Sequence, residues 1–250
     1  MTISERIFYI ICGAILLIGA VVFFWGGNLH PATDAKHLGA IGSEEFFRNF
    51  IRHIVEHGAW ERIHAGILAG PLCWALGGVG AGLVLRQRGE TCFSSLGAVA
   101  LAMGATAWAV TFVCDGFVTL RHAEAVSSSS PDTVAALLAD FRANQLLVVR
   151  LGLVSFILIG SGIAAFGASI LAAGIRSRLV SWLLGAGGVL LGLWPLLAWA
   201  IGVFEPGPFT SPWWRPTATL TTLWFMSGGI AILTQATRAT MSSGRRAGRE

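Results

Sequence analysis

The sequence predicts an all-α fold: a six-span transmembrane helix bundle with an amphipathic surface helix in its first outer loop. Three observations predict it. Of the 250 residues, 54% are hydrophobic and 12% charged, and the mean hydropathy is +0.70. That is more apolar surface than one soluble core can bury. Six windows reach the roughly 20 apolar residues that a helix needs to cross about 30 Å of hydrocarbon. Paired arginines recur in the short connections on one side, as a bundle with alternating spans requires.

The first window, 7–26, is too long for a signal peptide, and "FFWGGNLHP" after it shows no small-residue cleavage pattern, so it is expected to stay as an anchor. The loop after it holds "SEEFFRNFIRHIVEH", with Ser43 as N-cap, Glu44 and Glu45 in the first turn and Gly58 as terminator. At 100° per residue Phe46, Phe47, Phe50, Ile51 and Ile54 gather on one side of this helix, 43–57. That face is expected to lie on the outer membrane surface.

The second span, 60–85, and the fifth, 179–203, carry "GGVGAG" and "GAGGVLLG", read as close helix-packing faces. "GGVGAG" follows no strand, so it is not a dinucleotide fingerprint. The third span covers 94–118. Between it and the fourth, 146–174, "PDTVAALLADFRANQ" either caps the bundle or leads straight into that span. The loop "FEPGPFTSPWWRPT" holds four of the eight prolines, and its Trp213 and Trp214 suit an interfacial belt. The sixth span, 217–236, precedes a basic tail, 237–250. No connection is long enough to fold alone, so 1–250 reads as a single integral membrane domain.

The pI of 9.3 does not imply nucleic acid, because the basic residues sort by membrane side. Arg86 and Arg88, Arg176 and Arg178, and Arg238, Arg245, Arg246 and Arg249 mark three segments as cytoplasmic, which puts both termini inside. Ten of the thirteen acids and all six histidines then fall in outer loops or outer halves of spans. Cys12, Cys73, Cys92 and Cys114 are scattered singly, without a disulfide or zinc-ribbon pattern.

"FIRHIVEHGAWERIHAG", residues 50–66, concentrates the chemistry. "HIVEH" matches the inverted zinc-peptidase arrangement and "ERIH" the di-metal bundle motif, but neither finds its further ligands. Ionisable groups within spans are costly, so they tend to face the interior and pair. Glu61, His64, Asp115 and Arg150 qualify, with His57 and His122 near the same depth. Two readings stay open. In one, Asp115 with Arg150 and Glu61 with His64 or Arg62 are structural pairs. In the other, His57, Glu61, His64, Asp115 and His122 supply ligands to zinc or copper, or to a small organic ligand, since imidazole and carboxylate donors suit such ions. A haem held by two histidines is not expected, because His64 is the sole histidine well inside a span.

"LHP" at 29–31 followed by "WERIHAGILAGPLCWALG" at 60–77, with Trp60 and His64 four residues apart, resembles a pattern of multi-pass bacterial inner-membrane proteins without an assigned activity. The resemblance covers the first third of the chain. It implies a small bacterial inner-membrane protein of about six spans and no particular reaction. The function expected is therefore an outward-facing His/Asp/Glu pocket that binds a metal ion or small ligand, in the lipid bilayer, alone, as a homo-oligomer or as a subunit of a larger membrane complex. An enzyme acting on a lipid or hydrophobic substrate and an accessory or assembly protein without a site are the alternatives.

Overall fold

The structure, a computed structural model, describes residues 2–30, 38–40, 42–174, 177–203 and 213–247, with 238–247 described by backbone alone. His37, Arg176, most of the proline-rich loop and the side chains of the basic tail lie outside the described residues. The helices are α1 (Ile3–Leu29), α2 (Glu44–His57), α3 (Trp60–Arg86), α4 (Cys92–Ser128), α5 (Pro131–Ala172), α6 (Arg178–Ala200) and α7 (Trp214–Ala247). There is no strand among the described residues. All but α2 are long and apolar enough to span a membrane. The chain is a multi-pass, all-α membrane protein.

Hydropathy found the spans but not the helix ends. The 42 residues of α5 rise about 63 Å at 1.5 Å each, twice the hydrocarbon thickness. "PDTVAALLADFRANQ" leads directly into the span, and α4 likewise runs on to Ser128. Several turns of both helices therefore project past the membrane-spanning region, where they form a second, smaller core.

That smaller core receives α2. Ser43 Oγ accepts from Phe46 N at 3.0 Å, and Gly58 ends the helix at φ +63°, a left-handed conformation that suits glycine. The apolar face that the periodicity assigns to the lipid headgroups is instead buried against α4 and α5. Phe50, Ile51 and Ile54 pack with Ala123, Leu138 and Phe141. Burying such a Phe or Ile contributes about 1.5–3 kcal/mol each, which outweighs a half-immersed position at a headgroup surface.

Around the bundle the neighbours run α6, α5, α4, α3, α1, α7, and α7 meets α6 over only a short stretch. The glycine-rich faces pack closely, as expected: a Cβ at Gly77 would meet Leu16 of α1, and one at Gly192 would collide with the α5 backbone at Gly160 and Ala164. Trp213 is exposed, but Trp214 is not a belt residue. Its ring stacks on Trp108 with centroids 5.3 Å apart and meets Phe156 at 5.2 Å.

Candidate metal centre

Two helix ends and a π-helical turn meet beneath α2. Trp60 opens α3 only two residues after α2 ends, and its buried ring lies 5.9 Å from that of Phe50. One turn on, His64 is fully buried. From α1 comes His30, whose backbone N–H still closes the helix on Gly26 O at 3.0 Å. From α4 comes Asp115, carried on a π-helical turn at Cys114–Val118. Such turns insert one extra residue into a helix and often mark functional sites.

The π turn leaves backbone carbonyls for side chains. Trp60 Nε1 donates to Asp115 O at 2.8 Å. Thr119 Oγ1 donates to Cys114 O at 3.1 Å and accepts from Asn144 Nδ2 at 2.8 Å and Gln145 Nε2 at 2.7 Å. Gly116 completes the seat, because a Cβ there would overlap the Cβ of His64.

The histidine's protonation follows from its partners. His64 Nδ1 lies 2.8 Å from Trp60 O. A carbonyl only accepts, so Nδ1 carries the proton, and a neutral ring then keeps its lone pair on Nε2. That lone pair faces His30 Nε2 at 3.2 Å and Asp115 Oδ2 at 3.2 Å. The three donor atoms lie within 4.8 Å of one another. A carboxylate oxygen and an imidazole lone pair repel unless a proton or a cation lies between them. A ring N–H fixed on a backbone carbonyl, leaving the other nitrogen for an ion, is the usual support of a histidine ligand. For a tetrahedral ion with bonds of about 2.0–2.1 Å the donor-to-donor edge is about 3.3 Å. Two edges of this cluster are close to that length.

Only part of the expected ligand set converges. His64 and Asp115 meet as read from the sequence, and His30, quoted only within the "LHP" pattern, joins them. Glu61 turns to Arg121 at 3.6 Å, an exposed pair. His57 stays on α2, its ring 6.1 Å from that of His53. His122 is half-buried beyond the π turn, its Nδ1 without a hydrogen-bond partner among the described residues. The Asp115–Arg150 ion pair does not form. Arg150 is exposed and has no ion pair among the described residues, while Asp115 reaches His64. The buried face of α5 runs through Asn144, Val148 and Gly152. Arg150 is two residues from the last two of these, about 200° around the helix.

The sequence did carry a signal for His30. It lies at the end of the first span's helix, and that end sits beside the start of the second. The nitrogens of His30 and His64, 3.2 Å apart, leave no room for a porphyrin between them. No family model, curated protein or solved structure matches this chain.

Proposed function

We propose that this membrane protein binds a divalent transition-metal ion of the zinc or copper class through His30, His64 and Asp115. The observation that carries the reading is the His64 ring: its Nδ1 proton is committed to Trp60 O, and its Nε2 lone pair faces a second imidazole and a carboxylate at 3.2 Å each. Two imidazoles and one carboxylate suit such ions. Three protein ligands among the described residues leave a fourth position for a further ligand. Asp115 is itself largely covered, with its side chain 19% exposed, and a bound cation would supply the opposite charge that such a carboxylate needs.

The side facing outward is part of the same proposal. Arg6, Arg86, Arg88 and Arg178 lie at the bundle end opposite the site, and the positive-inside rule puts that end in the cytoplasm of a bacterial inner membrane. The metal centre then opens to the outer side, and the chain can serve alone or within a larger membrane complex.

Elemental analysis of the full chain in mild detergent, after loading with zinc or copper and removal of excess, tests the reading. About one ion per chain is expected, with His64→Ala and Asp115→Ala each retaining less than a tenth of it. An unloaded wild type, or variants that load as well as it does, would overturn the proposal.

A further inference from the structure

At the end of the bundle away from the histidines, the six spans surround an apolar cavity. Leu16 of α1, Leu85 of α3, Leu101 of α4, Phe166 of α5, Leu184 of α6 and Ile232 of α7 all contribute to its wall. Polar side chains line it at the mouth, where exposed Arg88 Nη2 donates to Gln235 Oε1 at 2.8 Å. Arg88 has no ion pair among the described residues.

The wall has one weak joint. Helices α6 and α7 barely pack, and two indole hydrogen bonds span the gap. Trp224 Nε1 donates to Leu184 O at 3.1 Å beside the cavity, and Trp194 Nε1 donates to Thr217 Oγ1 at 3.0 Å farther along. A joint held by side-chain hydrogen bonds can part without disturbing a packed core. It would give a chain from the bilayer a way in.

We propose that this cavity holds one acyl chain of an anionic phospholipid, with the lipid phosphate on Arg88. An apolar cavity gives water no partners, and a hydrocarbon chain restores the dispersion contacts that an empty wall lacks. Lipid tails gain little from moving between bilayer and protein interior, so the tail alone would not select an occupant. The headgroup does. Guanidinium matches phosphate with paired N–H donors, and Arg88 stands at the basic end, where anionic headgroups lie if that end is cytoplasmic. The apolar six-helix wall and the charge at the mouth together fit a phosphate-headed amphiphile.

Gly228 supplies a clean test. It lines the cavity, and a Cβ there would meet nothing within 4 Å. Gly228→Leu should therefore fill the space without a clash, and it replaces a poor helix former with a good one. Native mass spectrometry of the full chain, titrated with phosphatidylglycerol or phosphatidylcholine, reads the binding. Wild type is expected to retain one phosphatidylglycerol with at least tenfold preference over phosphatidylcholine. Arg88→Gln should erase that preference, and Gly228→Leu should cut occupancy at least fivefold with an unchanged or raised melting temperature. Should Gly228→Leu fail to fold, Ala231→Phe fills the same cavity from the next turn. Equal retention of both lipids, full occupancy in a folded filled-cavity variant, or displacement of phosphatidylglycerol by a polyprenyl phosphate would each overturn the proposal. Metal content measured on the same samples should not change, which separates this result from the fate of the metal centre.

Discussion

The two ends of this bundle use the same helices for opposite kinds of order. At the histidine end, a chain of polar groups is tied to backbone and side-chain partners: His64 to Trp60 O, Trp60 to Asp115 O, Thr119 to Cys114 O and Asn144 to Thr119. At the basic end, α6 and α7 are joined beside an apolar space by one indole hydrogen bond, from Trp224 Nε1 to Leu184 O. Between the ends runs a dense aromatic core, in which the ring of Phe23 lies 6.2 Å from Phe112 and 4.6 Å from Trp74, and Trp74 stacks on Phe225 at 4.6 Å. The difference has a physical basis. Buried polar groups demand defined partners and fix one geometry, whereas an apolar lining accepts any chain of suitable width.

The largest expected effect comes from closing the rigid end without touching a ligand. Gly116→Ala puts a methyl group where the Cβ of His64 stands. Overpacking of this kind costs about 1–3 kcal/mol, and the ring must move away from Asp115. We expect metal retention to fall at least tenfold although His30, His64 and Asp115 are all present, with a melting temperature several degrees lower. Elemental analysis beside thermal melting in detergent checks both. Wild-type loading of this variant would show that the seat is not rigid and would remove the contrast between the ends.

Next in size is the support of the π turn. Asn144 is buried, and its Nδ2 donates to Thr119 Oγ1, which in turn holds Cys114 O. Asn144→Ala removes this tie at a cost of about 1–3 kcal/mol. Gln145 keeps a second hydrogen bond to Thr119 at 2.7 Å, so the turn should survive. The expected outcome is a clear loss of thermal stability with metal affinity weakened less than tenfold. If affinity vanishes as completely as in Gly116→Ala, Asn144 positions the ligands and not only the helix.

Why the sequence revealed one end better than the other follows from the same comparison. Hydropathy locates apolar runs, so the six spans were legible, as were the Ser43 cap and the Gly58 stop. It marks the hydrocarbon and not the helix, so the outer extension of α4 was hidden and that of α5 was one of two readings, and the surface that buries α2 went unseen. His64 and Asp115 were legible because an ionisable group inside a span has few excuses. His30 was not selected, because it lies past the end of the 7–26 window and reads as part of the loop. Its place depends on α1 running to Leu29 and ending beside Trp60. The Asp115–Arg150 pairing failed because facing depends on helical phase, which depth alone does not supply. The cavity at the basic end carries no motif at all. It arises from six apolar faces that do not quite meet.

The smallest effect expected belongs to the basic end, where one carboxylate is fixed as firmly as anything around the histidines. Glu90, in the turn before α4, accepts from Phe93 N at 2.9 Å, Ser94 N at 2.8 Å and Ser169 Oγ of α5 at 2.6 Å. Its partial burial pushes its pKa up, but the Ser169 hydroxyl and the two amides together outweigh that and hold it below the usual Glu range. A pKa lower in the folded chain than in the unfolded one means that the carboxylate stabilises fully above the unfolded value and loses that contribution as pH falls through the folded one. Glu90→Gln should therefore melt slightly below wild type at neutral pH, with the gap closing on acidification below the ordinary carboxylate range. Melting curves of both proteins from neutral pH into that range measure it. A gap that stays constant with pH would assign the role of Glu90 to hydrogen bonding alone, and the basic end would then owe none of its order to charge.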